Sequence, residues 1–304
     1  MGVFMKAMMV GLAAVLAATI AVPALAKARM TPAQEWEAWR KEENAAWATT
    51  KYALLKIDDA VYLKPNETAT LAPEGTQLPH YKFKLTREAP PTAFSVEYRG
   101  PDAIVRHNGK STTYKLSEKT LRIPVKPGIE FGMQLAQLTP GKMGLRAFVY
   151  NQENPDAKNF QGLEHFPFDP KFVIEAKFEP ADKIEGVDFQ TSRGWYKRFY
   201  RAGFAVFDHE GKHVRLPLYS DSDDPKKIKD LSAFFLDELT GKETYGVGRY
   251  IDIKLTSFPA ITVTIDFNRA YNPNCARSPH YNCPVATDLV PLAVRAGEKK
   301  PSEH

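Results

Sequence analysis

Gly203-Phe204-Ala205-Val206-Phe207-Asp208-His209-Glu210-Gly211-Lys212-His213-Val214-Arg215-Leu216-Pro217-Leu218 admits two readings that lead to different proteins. Its centre, His209 to His213, satisfies the pattern H-E-x-x-H. In zinc peptidases that pattern works because a helix sets two histidines on one face and the glutamate beside the metal-bound water. The flanks contradict a helix. Gly203–Phe207 and Val214–Leu218 both read as strands, and Glu-Gly-Lys reads as the turn between them. A glycine inside the helix would also cost up to about 1 kcal/mol relative to alanine. The segment is therefore expected to be a hairpin tip, and no metal site is assigned.

The same texture extends in both directions. From Tyr52 onward, short runs of β-branched and aromatic residues alternate with Gly, Pro, Asn and Asp turns. The first series comprises Val61–Lys64, Tyr81–Leu85, Ala93–Tyr98, Ala103–Arg106, Thr112–Leu116, Thr120–Val125, Glu130–Leu138 and Leu145–Tyr150. His107-Asn108-Gly109-Lys110 supplies a hairpin turn within it. Asn151 to Pro170 is punctuated by Pro155, Gly162, Pro167 and Pro170 and reads as a loop, with the domain boundary at its start. The second series is Phe172–Phe178, Trp195–Tyr200, Ala202–Asp208, His213–Tyr219, Ala233–Asp237, Val247–Leu255 and Ile261–Phe267. The expected fold is mainly β: a small β-sandwich over 52–152, then a second antiparallel domain, a sandwich or open barrel, over 153–298, and a polar tail over 299–304.

One helix precedes the strands, within 27–51. Thr31-Pro32-Ala33-Gln34 is a capping box with proline at the first helical position. Trp36, Trp39 and Trp47 fall near one azimuth, with Glu43 interrupting the stripe. Such a face is expected to dock on a following domain, and core packing outweighs a cofactor role for it.

Residues 1–26 have the three parts of a secretory signal: Lys6, the uncharged run Ala7 to Val22, and Ala24-Leu25-Ala26 after Pro23. Cleavage after Ala26 is expected, giving an exported protein, periplasmic or secreted, with no transmembrane span remaining. The net charge of +5 is spread over the chain without a basic block, which argues against nucleic-acid binding. The two cysteines, Cys275 and Cys283, read first as a disulfide in an oxidising compartment, worth roughly 2.6 kcal/mol on the chain-entropy model. Free thiols are the second reading, and a metal or redox role is the third.

A candidate site lies near the C-terminal end. Ile261, Val263, Ile265 and Phe267 alternate with Thr262, Thr264, Asp266 and Asn268, the pattern of a half-buried strand. On the preceding strand Arg249 shares a face with Val247, Ile251, Ile253 and Leu255. A guanidinium facing a core needs a carboxylate or several carbonyls. Asp237, Glu243 and Asp266 are its candidate partners, although alternation turns Asp266 to the other face. The functional reading is a ligand pocket of Arg249, Glu243, Tyr245, Asp266, Asn268 and Tyr271, with Asn272 in the adjoining turn. The structural reading is a salt-bridged network pinning the cysteine loop to the sheet.

Several C-terminal motifs carry a resemblance. Thr240-Gly241-Lys242-Glu243-Thr244-Tyr245, Gly248-Arg249-Tyr250, Asp266-Phe267-Asn268-Arg269-Ala270-Tyr271-Asn272-Pro273, Cys283-Pro284 and Ala296-Gly297-Glu298-Lys299 look like the bacterial family called "domain of unknown function 1684". Phe166-Pro167-x-Asp169-Pro170 resembles its middle segment. Leu239, His165, Arg277 and Asp288 depart from the family's usual residues. The resemblance implies a forkhead-associated-like β-sandwich in the N-terminal half. It does not extend to phosphopeptide reading, because no Ser-x-x-His loop follows the arginines of 61–120.

No nucleophile elbow, P-loop or dinucleotide fingerprint is present in the sequence. The functional expectation is a non-enzymatic envelope protein binding a small molecule or another envelope protein, without a cofactor. The alternatives are a hydrolase using Asp266 or Glu243 as acid/base with Arg249 as anion holder, and a purely structural envelope protein.

Overall fold

The computed structural model describes residues 30–74, 80–88 and 93–301. The export signal expected over residues 1–26 lies outside them. The helix α1, Pro32–Ala48, begins as its capping box dictates: the Gln34 amide donates to Thr31 Oγ1, and the Thr31 amide donates to Gln34 Oε1. Among the described residues no helix is long and apolar enough to cross a membrane.

Among the described residues nine strands follow: β1 Ile57–Leu63, β2 Thr68–Glu74, β3 His80–Thr86, β4 Phe94–Arg99, β5 Asp102–His107, β6 Lys110–Lys115, β7 Leu121–Lys126, β8 Ile129–Thr139 and β9 Lys142–Asn151. They form two antiparallel sheets, ordered β1-β9-β8-β7 and β3-β2-β4-β5-β6. Both sheets contribute to one core, in which Val96 and Val105 meet Phe131, Leu145 and Val149, so this half is a β-sandwich. The Asn108-Gly109 turn joins β5 to β6 with positive φ at both residues. Strand β2 escaped the sequence reading. Its Thr-Ala-Thr-Leu-Ala-Pro-Glu has weak strand propensity and forms by pairing on both sides, with β3 and β4.

The second half contains β10 Val173–Gln190, β11 Tyr196–His209, β12 Lys212–Ser220, β13 Asp230–Leu236, β14 Arg249–Lys254, β15 Thr262–Asp266 and the short β16 Asp288–Leu289. Strands β10 to β14 make an antiparallel meander, β15 returns to pair with β10, and β16 runs parallel to β13. The sheet curls into a nearly closed barrel. Its core includes Phe178, Ala205, Leu216, Ala233, Ile251 and Ile265. A Cβ at Gly203 would lie 2.5 Å from the Glu179 carbonyl and 2.6 Å from the Phe178 ring, so only glycine allows β11 to pass that close.

The His209–Lys212 hairpin is as the flanks required: β11 and β12 pair through His209 and Lys212, with Glu210 and Gly211 at positive φ in the turn. His213 Nδ1 lies 2.8 Å from Asp208, on an exposed hairpin tip.

Helix α1 docks across both halves. Trp36 packs beside His165 and Phe168 and donates its indole N–H to the Asn268 carbonyl at 2.8 Å. Trp47 packs with Leu55, Ala157 and Leu163 and stacks on Phe160. Trp39 sits edge-on to His165 with Arg269 against its ring.

Candidate functional site

The residues expected to form one pocket occupy several separate settings. Arg249 is fully enclosed at the start of β14, 2.5 Å from Asp237, which is equally enclosed. The guanidinium also donates to the carbonyls of Val294, at 2.9 Å, of Ala296, and of Glu298, at 3.2 Å. These carbonyls come from an extended C-terminal strap whose Val290, Leu292, Val294 and Ala296 pack into the barrel core. Asp237 in turn accepts from the Leu239 amide and the Thr244 hydroxyl. Arg249 thus ties the strap to the barrel and faces no solvent-accessible carboxylate.

Glu243 instead pairs with Arg295 at 2.5 Å near the surface. Asp266 caps the turn after β15, accepting from the Asn268 amide at 3.0 Å, and pairs with Arg269 at 3.3 Å. Buried Asn268 clasps the Asp169 backbone through both ends of its amide, each bond 2.9 Å. The Asn272 backbone N–H donates to buried Glu298, and its side chain donates to the Lys299 carbonyl. Tyr245 is half-buried, and that burial pushes its phenol pKa up. Tyr271 donates to Asp252 at 2.9 Å.

The expected Cys275–Cys283 disulfide is not formed; both residues are thiols. They are adjacent, joined by hydrogen bonding rather than a covalent bond, and the Cys275 amide lies 3.3 Å from Cys283 Sγ. The hydrogen bond between the thiols lowers the Cys275 pKa to about 7, while the same bond and burial push Cys283 upward.

The cysteine loop has a different role from a staple within the barrel. It is a wedge between the two halves. Tyr281 donates to the Leu54 carbonyl at 3.1 Å and packs with Phe148 and Tyr150, on the outer face of the sandwich sheet. The His280 carbonyl receives Arg146 at 3.4 Å, and His280 Nδ1 lies 3.6 Å from Asp59. The Pro279 carbonyl receives Arg193 at 2.6 Å. Above the wedge, the Arg198 amide donates to Gln137 at 2.8 Å, and Tyr62 meets Trp195 edge-on at 5.3 Å.

These contacts leave a cleft of about 660 Å³ between sandwich and barrel. The sandwich side supplies Tyr62, Gln134 and Arg146; the barrel side supplies Lys197, Phe199 and Asp221; the wedge closes it with Tyr281, Asn282 and Cys283. Of the expected ligand residues only Tyr271 reaches it. Asn282 is 5% exposed, and neither its amide nitrogen nor its oxygen has a hydrogen-bond partner. Buried amides are ordinarily paired, so this one marks a place where polar contacts remain to be made. The groups that sequence reasoning missed are Arg146, Lys197 and Asn282. A partial signal existed for the first: Ala147 to Tyr150 is apolar without interruption, as in a strand covered on both faces.

Comparison with known proteins bears on this arrangement. Residues 158–299 match the model of a family described as "Protein of unknown function (DUF1684)". The barrel half belongs to that family. Lys197, Asn282 and the cysteines lie inside the DUF1684 segment, whereas Tyr62, Gln134 and Arg146 precede it, so the cleft forms where the family's segment meets the sandwich. An uncharacterized protein from Haloarcula marismortui, solved in solution by NMR, is 31% identical, with the match covering 50% of this chain and 82% of that one at a TM-score of 0.41. No curated protein matches the chain.

Proposed function

We propose that the protein is an exported, non-enzymatic binding protein that holds a small ligand in the cleft between sandwich and barrel. The observation that carries this reading is the unpaired, 5%-exposed Asn282 amide in the lining of a cleft of about 660 Å³. Ligand sites are usually concavities of about 300–1,000 Å³ with a few converging polar groups among apolar walls. Tyr62, Phe199 and Tyr281 supply such walls here. Export rests on the three-part signal in residues 1–26. On this reading the sandwich, taken as forkhead-associated-like in fold, serves as one wall of the site and not as a phosphopeptide reader. The hydrolase alternative loses support because Arg249, Glu243 and Asp266 each have a separate partner.

Native mass spectrometry of the protein from the exported fraction tests the proposal. The expected result is a chain beginning after Ala26 that carries an organic adduct, which is lost in Ala136→Trp, a variant that fills the cleft lining. An adduct that survives Ala136→Trp, or a bare wild-type chain that binds nothing from a metabolite library, would overturn it.

A further inference from the structure

We infer that the ligand of this cleft is a small organic anion: a carboxylate or phosphate carried on a planar apolar body. This rests on the cleft being the binding site. The argument comes from where the charges of the lining go. Arg198 is spent, since it holds Asp188 through two bonds of 2.7 Å. Arg146 and Lys197 hold no such carboxylate: Arg146 donates to a backbone carbonyl and two phenols, and Lys197 feels Asp221 only as a distant charge, weaker than the effect of burial. Partly buried cations without a counter-charge are costly, and proteins keep them where a ligand completes the pairing.

Arg146 illustrates the point at atomic level. Its Nη2 donates to the His280 carbonyl at 3.4 Å, its guanidinium also hydrogen-bonds the Tyr62 and Tyr281 hydroxyls, neither of them a counter-charge, and its Nε is buried with no acceptor. Its guanidinium lies against the Phe148 ring at 4.3 Å and the Tyr281 ring at 5.1 Å, which fix its plane without neutralising it. A guanidinium so fixed presents its donors in the geometry that suits carboxylate or phosphate oxygens. Lys197 projects from β11 into the same cleft, where burial pushes its ammonium pKa down. Asn282 adds an unpaired donor and acceptor beside them.

Two acids also line the cleft, Glu118 and Asp221. Burial and the neighbouring charges of Asp230 and Glu118 raise the Asp221 pKa, and Lys197 acts against them. The apolar body would lie on rings that are already held. Tyr62 is braced by Trp195, and Tyr281 is tethered to the Leu54 carbonyl.

The experiment is titration calorimetry on the mature protein with four probes: benzoate, phenyl phosphate, benzyl alcohol and benzylamine. The two anions are expected to bind, and the alcohol and the amine at least about tenfold more weakly, as a charge-assisted hydrogen bond requires. Lys197→Gln should weaken the anions about tenfold, and Lys197→Arg should restore them. A preference for benzoate or for phenyl phosphate supports the inference either way and names the anionic group. Equal binding of benzyl alcohol or benzylamine would overturn the inference while leaving the cleft as the ligand site. Unchanged benzoate affinity in Lys197→Gln would also overturn it, as would no binding of either anion. The adduct experiment above decides the cleft itself separately.

Discussion

The Arg249 guanidinium lies 2.5 Å from the Asp237 carboxylate, and both side chains are only 1% exposed. Three strap carbonyls accept from its two terminal nitrogens as well, while its Nε is buried without a partner. This makes the pair a joint between β14, the Asp237 turn and the C-terminal strap. Removing one partner leaves the other charged and buried. Asp237→Leu should therefore destabilise the protein by about 3–5 kcal/mol. The double variant Asp237→Leu/Arg249→Met should lose less than the sum of the two single changes, because no orphaned charge remains. Denaturant unfolding of the four proteins checks this, and strict additivity would refute the coupling.

The features readable in the sequence were those set by neighbours along the chain. The capping box at Thr31 and Gln34, the turns at Asn108-Gly109 and Glu210-Gly211, and the alternation over Thr262 to Asp266 each needed only local periodicity and turn chemistry, whereas Ile261, expected on the buried face, is exposed and Asn268, expected on the polar face, is buried. Arg249 was recognisable as an anomaly on an apolar face, and Asp237 was among its expected partners. The cleft was not readable. Arg146 and Lys197 sit on strands of different sheets, and Asn282 between two cysteines looks like an ordinary loop residue until its burial is known. The cysteine spacing pointed inward to a staple, while the loop's packing points outward to the sandwich.

The thiol pair predicts a specific reactivity. In the reduced protein Cys275, with its pKa lowered to about 7, should be alkylated by iodoacetamide well before Cys283, which is buried and shifted upward. The rate should rise as pH passes through about 7, as the thiolate forms. Peptide mapping after limited reaction reads the site, and equal labelling of both cysteines would contradict the assignment.

Trp36 carries the docking of α1 through the buried hydrogen bond to the Asn268 carbonyl. Trp36→Phe keeps an aromatic ring but leaves that carbonyl without its donor. The expected cost is about 1–2 kcal/mol. Trp36→Ala should cost about 3–5 kcal/mol, because the ring's packing against Phe168 and His165 is lost as well. Thermal unfolding with hydrogen exchange over Pro32–Ala48 checks both values. If the helix alone lost protection while the barrel kept its stability, docking would be a peripheral feature and not part of the folded core.

His165 makes this docking sensitive to acid. Its ring lies edge-on to Trp36 at 6.0 Å and to Trp39 at 5.9 Å, with Nδ1 3.2 Å from the Leu163 carbonyl and Nε2 buried without a partner. Burial disfavours the imidazolium and holds the pKa down at about 4, against an ordinary 6.5. Below pH 6.5 the unfolded chain binds a proton that the folded chain refuses, so falling pH favours unfolding. The stabilisation linked to this site is complete above pH 6.5 and is lost as pH falls toward 4, a change on the order of 3 kcal/mol. His280 is shifted the same way by burial and contributes over the acid side of the same range. The readout is therefore the difference between parent and His165→Phe, which keeps the ring and removes the titration. The variant should lose less stability than the parent between pH 6.5 and 4, and parallel pH profiles would show that His165 is not the acid-sensitive group.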